Sequence, residues 1–189
     1  MNTIRKISIV LLGITLFATS AQAQTFYYNT TRTFRETGFT YQANVSYGMV
    51  TLFNAANRHD FYQRQTFRDG SPLSAEDLRG GLGQLITPDA STTISLVTNI
   101  VRNALSPAER QRVGDWALIV IMYVNQEATT PQPITEVKFR FCTDSPFATI
   151  PVSVYRQIEL EIKRQVKLAP TANGRRLSHL SRGVPIRVN

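Results

Sequence analysis

WALIVIMYVNQEATTPQPITEVKFRFCTDSPFATIPVSVYRQIELEIKRQVKL, residues Trp116 to Leu168, decides the fold. From Trp116 to Val124 every residue is apolar or aromatic, and Ile119, Val120, Ile121 and Val124 are β-branched. Such a run predicts a strand buried on both faces. One helix covers one face, so the helix expected over Ser91–Leu105 is assigned to the other. Trp116, beside Asp115 at the start of the strand, is expected to pack. Thr129 to Pro133 reads as a loop. From Ile134 to Phe141 the pattern alternates, with Val137, Phe139 and Phe141 toward a core and Lys138 and Arg140 toward water. The two strands are close in sequence and pair as an antiparallel hairpin.

The end of the stretch fits two periods. Val154, Ile158, Ile162 and Val166 lie four apart, as on a helix, yet Val152, Leu160 and Leu168 share their parity, as on a strand. Length decides for a helix over Val152–Leu168, because a strand of that length is about three times the usual one. Glu159 and Lys163 are spaced i,i+4 in the favourable order, and basic residues gather where the helix dipole favours them. Pro170 blocks continuation, Asn173-Gly174 marks a turn, and Val184–Val188 reads as a last strand.

Working outward, Thr25–Glu36 is rich in strand formers, Thr37-Gly38 supplies a turn, and Phe39, Tyr41, Ala43 and Val45 alternate with polar residues. These runs predict a hairpin. Tyr47–Phe53 reads as a third strand with Gly48 as a break or bulge, and Phe61–Arg68 as a further short one. Asp69-Gly70-Ser71-Pro72 is a turn. Ser74 caps a short helix with Asp77 at its third position, and Gly80-Gly81-Leu82-Gly83 lacks the spacing of a phosphate loop and reads as a connection. In Ser91–Leu105, Ile94, Val97, Val101 and Ala104/Leu105 form one apolar stripe. Ser106-Pro107-Ala108-Glu109 opens a next helix with a capping box, which Gly114 stops. The fold class expected is α+β: an antiparallel sheet with helices packed on it. Residues 24–189 form one domain, with a β-rich N-terminal half (24–90), a helical connector (91–114) and a β–β–α–β unit (115–189).

The N-terminus has the pattern of a secretory leader: Arg5 and Lys6, the apolar run Ile7–Phe17, and the cleavage motif Ala21-Gln22-Ala23. The apolar run is too short to span a bilayer, which takes about 20 residues. Removal of residues 1–23 leaves a mature chain without a transmembrane segment, exported to the periplasm or beyond. Of the 21 basic residues two lie in the leader, and all 13 acidic ones lie beyond it, so the mature chain nets +6. No acid follows Glu161, whereas seven basic residues do. Of these, Lys163, Arg164, Lys167, Arg175, Arg176 and Arg182 are the candidate anion contacts of a basic C-terminal end. Cys142 is the single cysteine. It excludes an internal disulfide and is expected to be buried as a small hydrophobe.

Converging catalytic groups are sparse. His59 and His179 are the only histidines. Asp60 adjoins His59, but neighbours in sequence rarely make a catalytic pair, and Cys142 has no local nucleophile signature around it. Glu159 and Glu161 read as surface ion pairs. No catalytic residue, metal spacing or cofactor is assigned. No aromatic residue follows Tyr155, which disfavours a nucleic-acid partner.

The β–β–α–β order over 116–189 resembles the C-terminal domain of the periplasmic energy-transducing protein TonB. The likeness lies in Ile134-Thr135-Glu136-Val137, a helix, Leu168-Ala-Pro170 with Asn173-Gly174, and Val184-Pro185-Ile186-Arg187-Val188. The mature chain as a whole resembles small uncharacterised exported proteins of Bacteroidetes-type bacteria. The TonB likeness implies binding of an extended peptide at a sheet edge. The absence of a proline-rich spacer and of a retained membrane helix argues against energy transduction. The function expected is an exported, non-enzymatic binding domain for a protein or envelope partner. A small exported hydrolase or thiol enzyme, and a polyanion binder using the basic end, are the alternatives.

Overall fold

The computed structural model describes residues 26–57 and 65–189. The leader, His59, Asp60 and the first half of the strand expected over Phe61–Arg68 lie outside the described residues. Among the described residues nine strands and three main helices follow in order: β1 (Arg32–Glu36), β2 (Phe39–Ser46), β3 (Met49–Asn54), β4 (Ile86–Thr87), α1 (Ala90–Ala104), α2 (Pro107–Val113), β5 (Leu118–Tyr123), β6 (Gln132–Pro133), β7 (Glu136–Cys142), α3 (Val152–Gln165), β8 (Lys167–Pro170) and β9 (Ser181–Ile186). The class is α+β. One antiparallel sheet runs β1-β2-β3-β7-β5-β9, and a small one runs β4-β8-β6.

The expected β5–β7 hairpin forms, with Val120 opposite Phe139 and Met122 opposite Val137. Register then carries one apolar row across the large sheet: Ala43, Leu52, Phe139, Val120 and Val184 stand side by side, all buried. α1 and α3 pack against each other, α1 also against β9 and α3 against β7. Val97 and Val101 of α1, and Tyr155, Ile158 and Ile162 of α3, are buried with this row in one core. Tyr155 stacks on Phe141 at 5.4 Å and donates from its hydroxyl to the Phe147 carbonyl at 2.9 Å. Aromatic packing of this kind adds to the plain burial of the rings.

Several expectations change. Both long helices belong to one side of β5, so its faces differ: Leu118, Val120 and Met122 are buried, while Ile119 and Ile121 are half-buried. Trp116 precedes the strand and is 42% exposed instead of packed. The face of β7 read as wet is not: Lys138 is 2% exposed and Glu136 is buried. The Lys138 ammonium lies 5.1 Å from the Tyr123 ring and 5.4 Å from that of Phe53, so its charge is held by ring faces as its stem is buried. Tyr47-Gly48 is the β2–β3 turn itself, with both residues at positive φ, as a two-residue hairpin requires. α3 ends at Gln165, and Lys167–Pro170 is a strand, so the two periods seen in Val152–Leu168 are two elements.

Caps follow the sequence. Ser106 and Glu109 form the capping box of α2, and Gly114, at φ +50°, ends it. α1 is capped by Asp89, whose carboxylate accepts the Thr92 N–H at 2.8 Å.

Candidate functional site

The large sheet ends at β1, and no described strand pairs with its outer side. A two-residue turn, Thr37-Gly38 with Gly38 at φ +86°, closes the β1–β2 hairpin on the pair Glu36 and Phe39. Antiparallel alternation then points the backbone groups of Arg32, Phe34 and Glu36 at β2 and those of Thr33 and Arg35 outward. Phe34 anchors the strand: its ring lies 5.1 Å from buried Tyr28, with the Arg32 guanidinium 4.6 Å above it. The opposite edge differs. On β9 the Val124 N–H bonds to the Leu180 carbonyl at 3.0 Å, which fixes the phase and turns Ser181, Gly183 and Pro185 outward. Pro185 has no N–H, and proline on an outer edge blunts strand addition. The open β1 edge keeps both donors.

The six candidate anion contacts are dispersed. The Lys163 ammonium donates to Glu159 Oε1 at 2.5 Å, and Arg164 Nη2 to Glu161 Oε2 at 2.6 Å. Arg175 donates to the Pro170 carbonyl at 3.1 Å, and the Arg176 guanidinium lies 5.1 Å from the Phe67 ring centroid. Lys167 is exposed at the start of β8. Arg182 reaches under β4 and α1: its guanidinium donates to the carbonyls of Ile86 (2.9 Å), Pro88 (2.5 Å) and Asp89 (2.9 Å) and to Thr93 Oγ1 (2.7 Å). That geometry binds the segment before α1 to β9. Arg182→Ala is expected to cost about 2 kcal/mol, because charge-assisted bonds are lost and carbonyls left without a donor. A urea midpoint unchanged from the native chain would refute this clamp.

One polar cluster escaped the sequence. Glu159 is 0% exposed, and its carboxylate accepts the Tyr41 hydroxyl, Arg156 Nη1 at 2.9 Å and Lys163 Nζ. It is a buried hub between α3 and β2. Only Glu161 behaves as the expected surface ion pair. The i−3 and i+4 cations were visible in the sequence; Tyr41 was not.

Cys142 is half-buried, less than expected, with its sulfur 3.5 Å from that of Met49. His179 precedes the β9 end that pairs with Tyr123, whereas Cys142 closes β7 beside the start of β5. Five to six strand residues separate those ends, roughly 20 Å, far beyond hydrogen-bond reach. Among the described residues no three His, Cys, Asp or Glu gather as metal ligands, and no helix is long and apolar enough to cross a membrane.

Comparison with known proteins gives a family and a fold relative. None of the curated proteins matches the chain. A crystal structure of a DUF5043 family protein from Bacteroides uniformis ATCC 8492, at 1.85 Å resolution, superposes with a TM-score of 0.73 at 27% identity, over 86% of this chain and 94% of that one. The model of the domain of unknown function DUF5043 matches residues 24–182. The chain therefore belongs to the DUF5043 family.

Proposed function

We propose that the mature chain is an exported binding domain that accepts an extended partner segment along β1. The observation that carries this reading is the outer edge of β1, which no described strand pairs, with Thr33 and Arg35 directed outward and no proline among its residues. Strand addition there draws affinity from backbone bonds and specificity from alternate side chains. Export is part of the proposal: it rests on the leader pattern, and the family match begins at Gln24, directly after the cleavage motif. The TonB-like reading favours the same mode of binding: β5, β7, α3 and β9 follow one another as β–β–α–β once the two short strands β6 and β8 are set aside.

The test is a selection of random peptides of about ten residues, roughly two lengths of β1, displayed on phage against residues 24–189. Selected peptides should alternate in polarity and lose at least about tenfold in affinity, or about 1.4 kcal/mol, when Thr33→Pro or Arg35→Pro removes an outward donor. Each variant leaves the inward bonds to β2 intact, so its thermal midpoint serves as the folding control. Peptides that bind both variants as tightly as the native chain, or no enrichment at all, would remove this reading.

A further inference from the structure

The exposed indole lies in a groove distant in the sheet order from β1. Trp116 is the only tryptophan in the chain. Gly114 ends α2 at φ +50°, and the Trp116 N–H then bonds to the Val113 carbonyl at 3.0 Å, fixing the short connection into β5. The indole lines an open groove of about 520 Å³ with Arg112, Gly114, Asp115, Ala117 and Arg187. Arg112 comes from the last turn of α2, and Arg187 follows β9, which places it across from Ala117. Among the described residues neither arginine makes an ion pair, and the Arg112 Nε–H is buried without an acceptor.

These groups define a ligand. A half-exposed indole offers a flat apolar face. Two uncommitted guanidinium groups offer planar donor forks suited to a carboxylate. The Asp115 carboxylate accepts hydroxyl protons. A ligand that uses all three has a ring with one apolar C–H face, several hydroxyls and an acid group. A purely apolar side chain leaves the arginines unused, and a neutral sugar leaves their charge unmatched. The groove volume falls in the range of small-ligand sites.

We infer that the Trp116 groove binds an acidic pyranose, a hexuronate residue, with the ring face on the indole, the carboxylate at Arg112 and Arg187, and hydroxyls at Asp115. The inference is independent of the β1 edge and survives or fails without it.

The single tryptophan makes the test site-specific. Residues 24–189 are titrated with trigalacturonate while indole emission is followed, with the neutral trisaccharide galactotriose and with adenosine monophosphate as the two comparison probes. The expected result is a saturable change for trigalacturonate, at least about tenfold tighter than for galactotriose, weakened about tenfold in Arg187→Ala. Arg187 is exposed beyond the last strand, so that variant keeps its fold. Trp116→Phe, followed by calorimetry, should weaken binding as well. No saturation up to about 10 mM, equal binding of the neutral sugar, or an unchanged affinity in Arg187→Ala would overturn the inference. Tighter binding of adenosine monophosphate than of trigalacturonate would replace the sugar with a nucleotide and equally overturn it.

Discussion

Glu159→Ala is expected to lose about 3 kcal/mol of folding stability, read as a drop in urea midpoint at constant slope. The carboxylate is 0% exposed and takes three donors from two elements. Its removal leaves the buried Tyr41 hydroxyl without an acceptor and two cations without their partner. The Arg156 and Lys163 side chains are about a quarter exposed, at 25% and 27%, so both rehydrate in part. That relief keeps the loss at the low end of the 3–5 kcal/mol typical of broken buried pairs. Glu159→Gln keeps an acceptor for Tyr41 and should cost about 1–2 kcal/mol.

The same hub predicts a pH dependence. Burial opposes the charge on Glu159, but hydrogen bonds from Lys163 and Tyr41, with the Lys163 charge, outweigh it and hold the carboxyl below its ordinary value of 4.5. A folded-state pKa below the unfolded one gives stability that is complete above that ordinary value and lost as the pH falls through the folded one. Burial first, and then Glu159, hold the Tyr41 phenol well above its usual range, so it remains a donor throughout. Asp69, Asp77, Asp89 and Glu161 are also lowered, chiefly by hydrogen bonds from Ser71, Ser74, Thr92 and Arg164, so the native chain alone does not isolate Glu159. The difference between native and Glu159→Gln stabilities should shrink as the pH drops below about 4.5. Parallel curves down to pH ~2.5 would contradict the assignment.

Glu159 also shows where sequence reading stops. Its helix neighbours follow from a period, whereas Tyr41 lies 118 positions away and meets it only because β2 and α3 share a core. Local signals were legible for the same reason: the capping box of α2, the Thr37-Gly38 hairpin turn and the alternation in β7 are each written within a few residues. The boundary between α3 and β8 carries neither Gly nor Pro at Val166, so nothing local separated the helix from the strand. Residue type alone puts Trp116 inside, because nothing local in the sequence marks that the pleat starts only at Leu118. Alternation puts Lys138 outside, because it identifies a face and not what covers it; ring contacts from Phe53 and Tyr123 come from other strands. The basic C-terminal end was legible as composition, and Lys163, Arg164 and Arg175 find partners within five residues, but the carbonyls that hold Arg182 lie on elements far earlier in the chain.

Gly174→Ala is the second large effect expected, and it arises from space instead of charge. Gly174 follows β8 in a tight turn, and its N–H bonds to Thr171 Oγ1 at 3.2 Å. A Cβ there would sit 2.1 Å from the Leu85 carbonyl oxygen and 3.1 Å from Leu180 Cδ2. The obstacle is backbone, which cannot swing aside as the tip of a side chain does. That carbonyl is itself fixed: it accepts the Thr171 N–H at 2.9 Å, while Thr171 Oγ1 bonds to the Gln84 carbonyl and Asn173 Nδ2 to that of Leu82, both at 2.7 Å. Making room therefore separates the 171–174 turn from the 82–85 segment and breaks these bonds together. It also disturbs β4 next to the Ile86 carbonyl that Arg182 holds. Overpacking against such a strap is expected to cost about 3 kcal/mol, a fall of roughly 6–12 °C in thermal midpoint for a chain of this size. Gly183→Ala supplies the contrast: its Cβ would meet only Ile121 Cγ1 at 3.9 Å and Ile119 Cγ2 at 4.0 Å, ordinary contacts. That variant should stay within about 2 °C of the native chain, since alanine in place of glycine also restrains the unfolded state. A Gly174→Ala midpoint as close to native as that of Gly183→Ala would mean that the turn and the Leu85 carbonyl do not approach as closely as described.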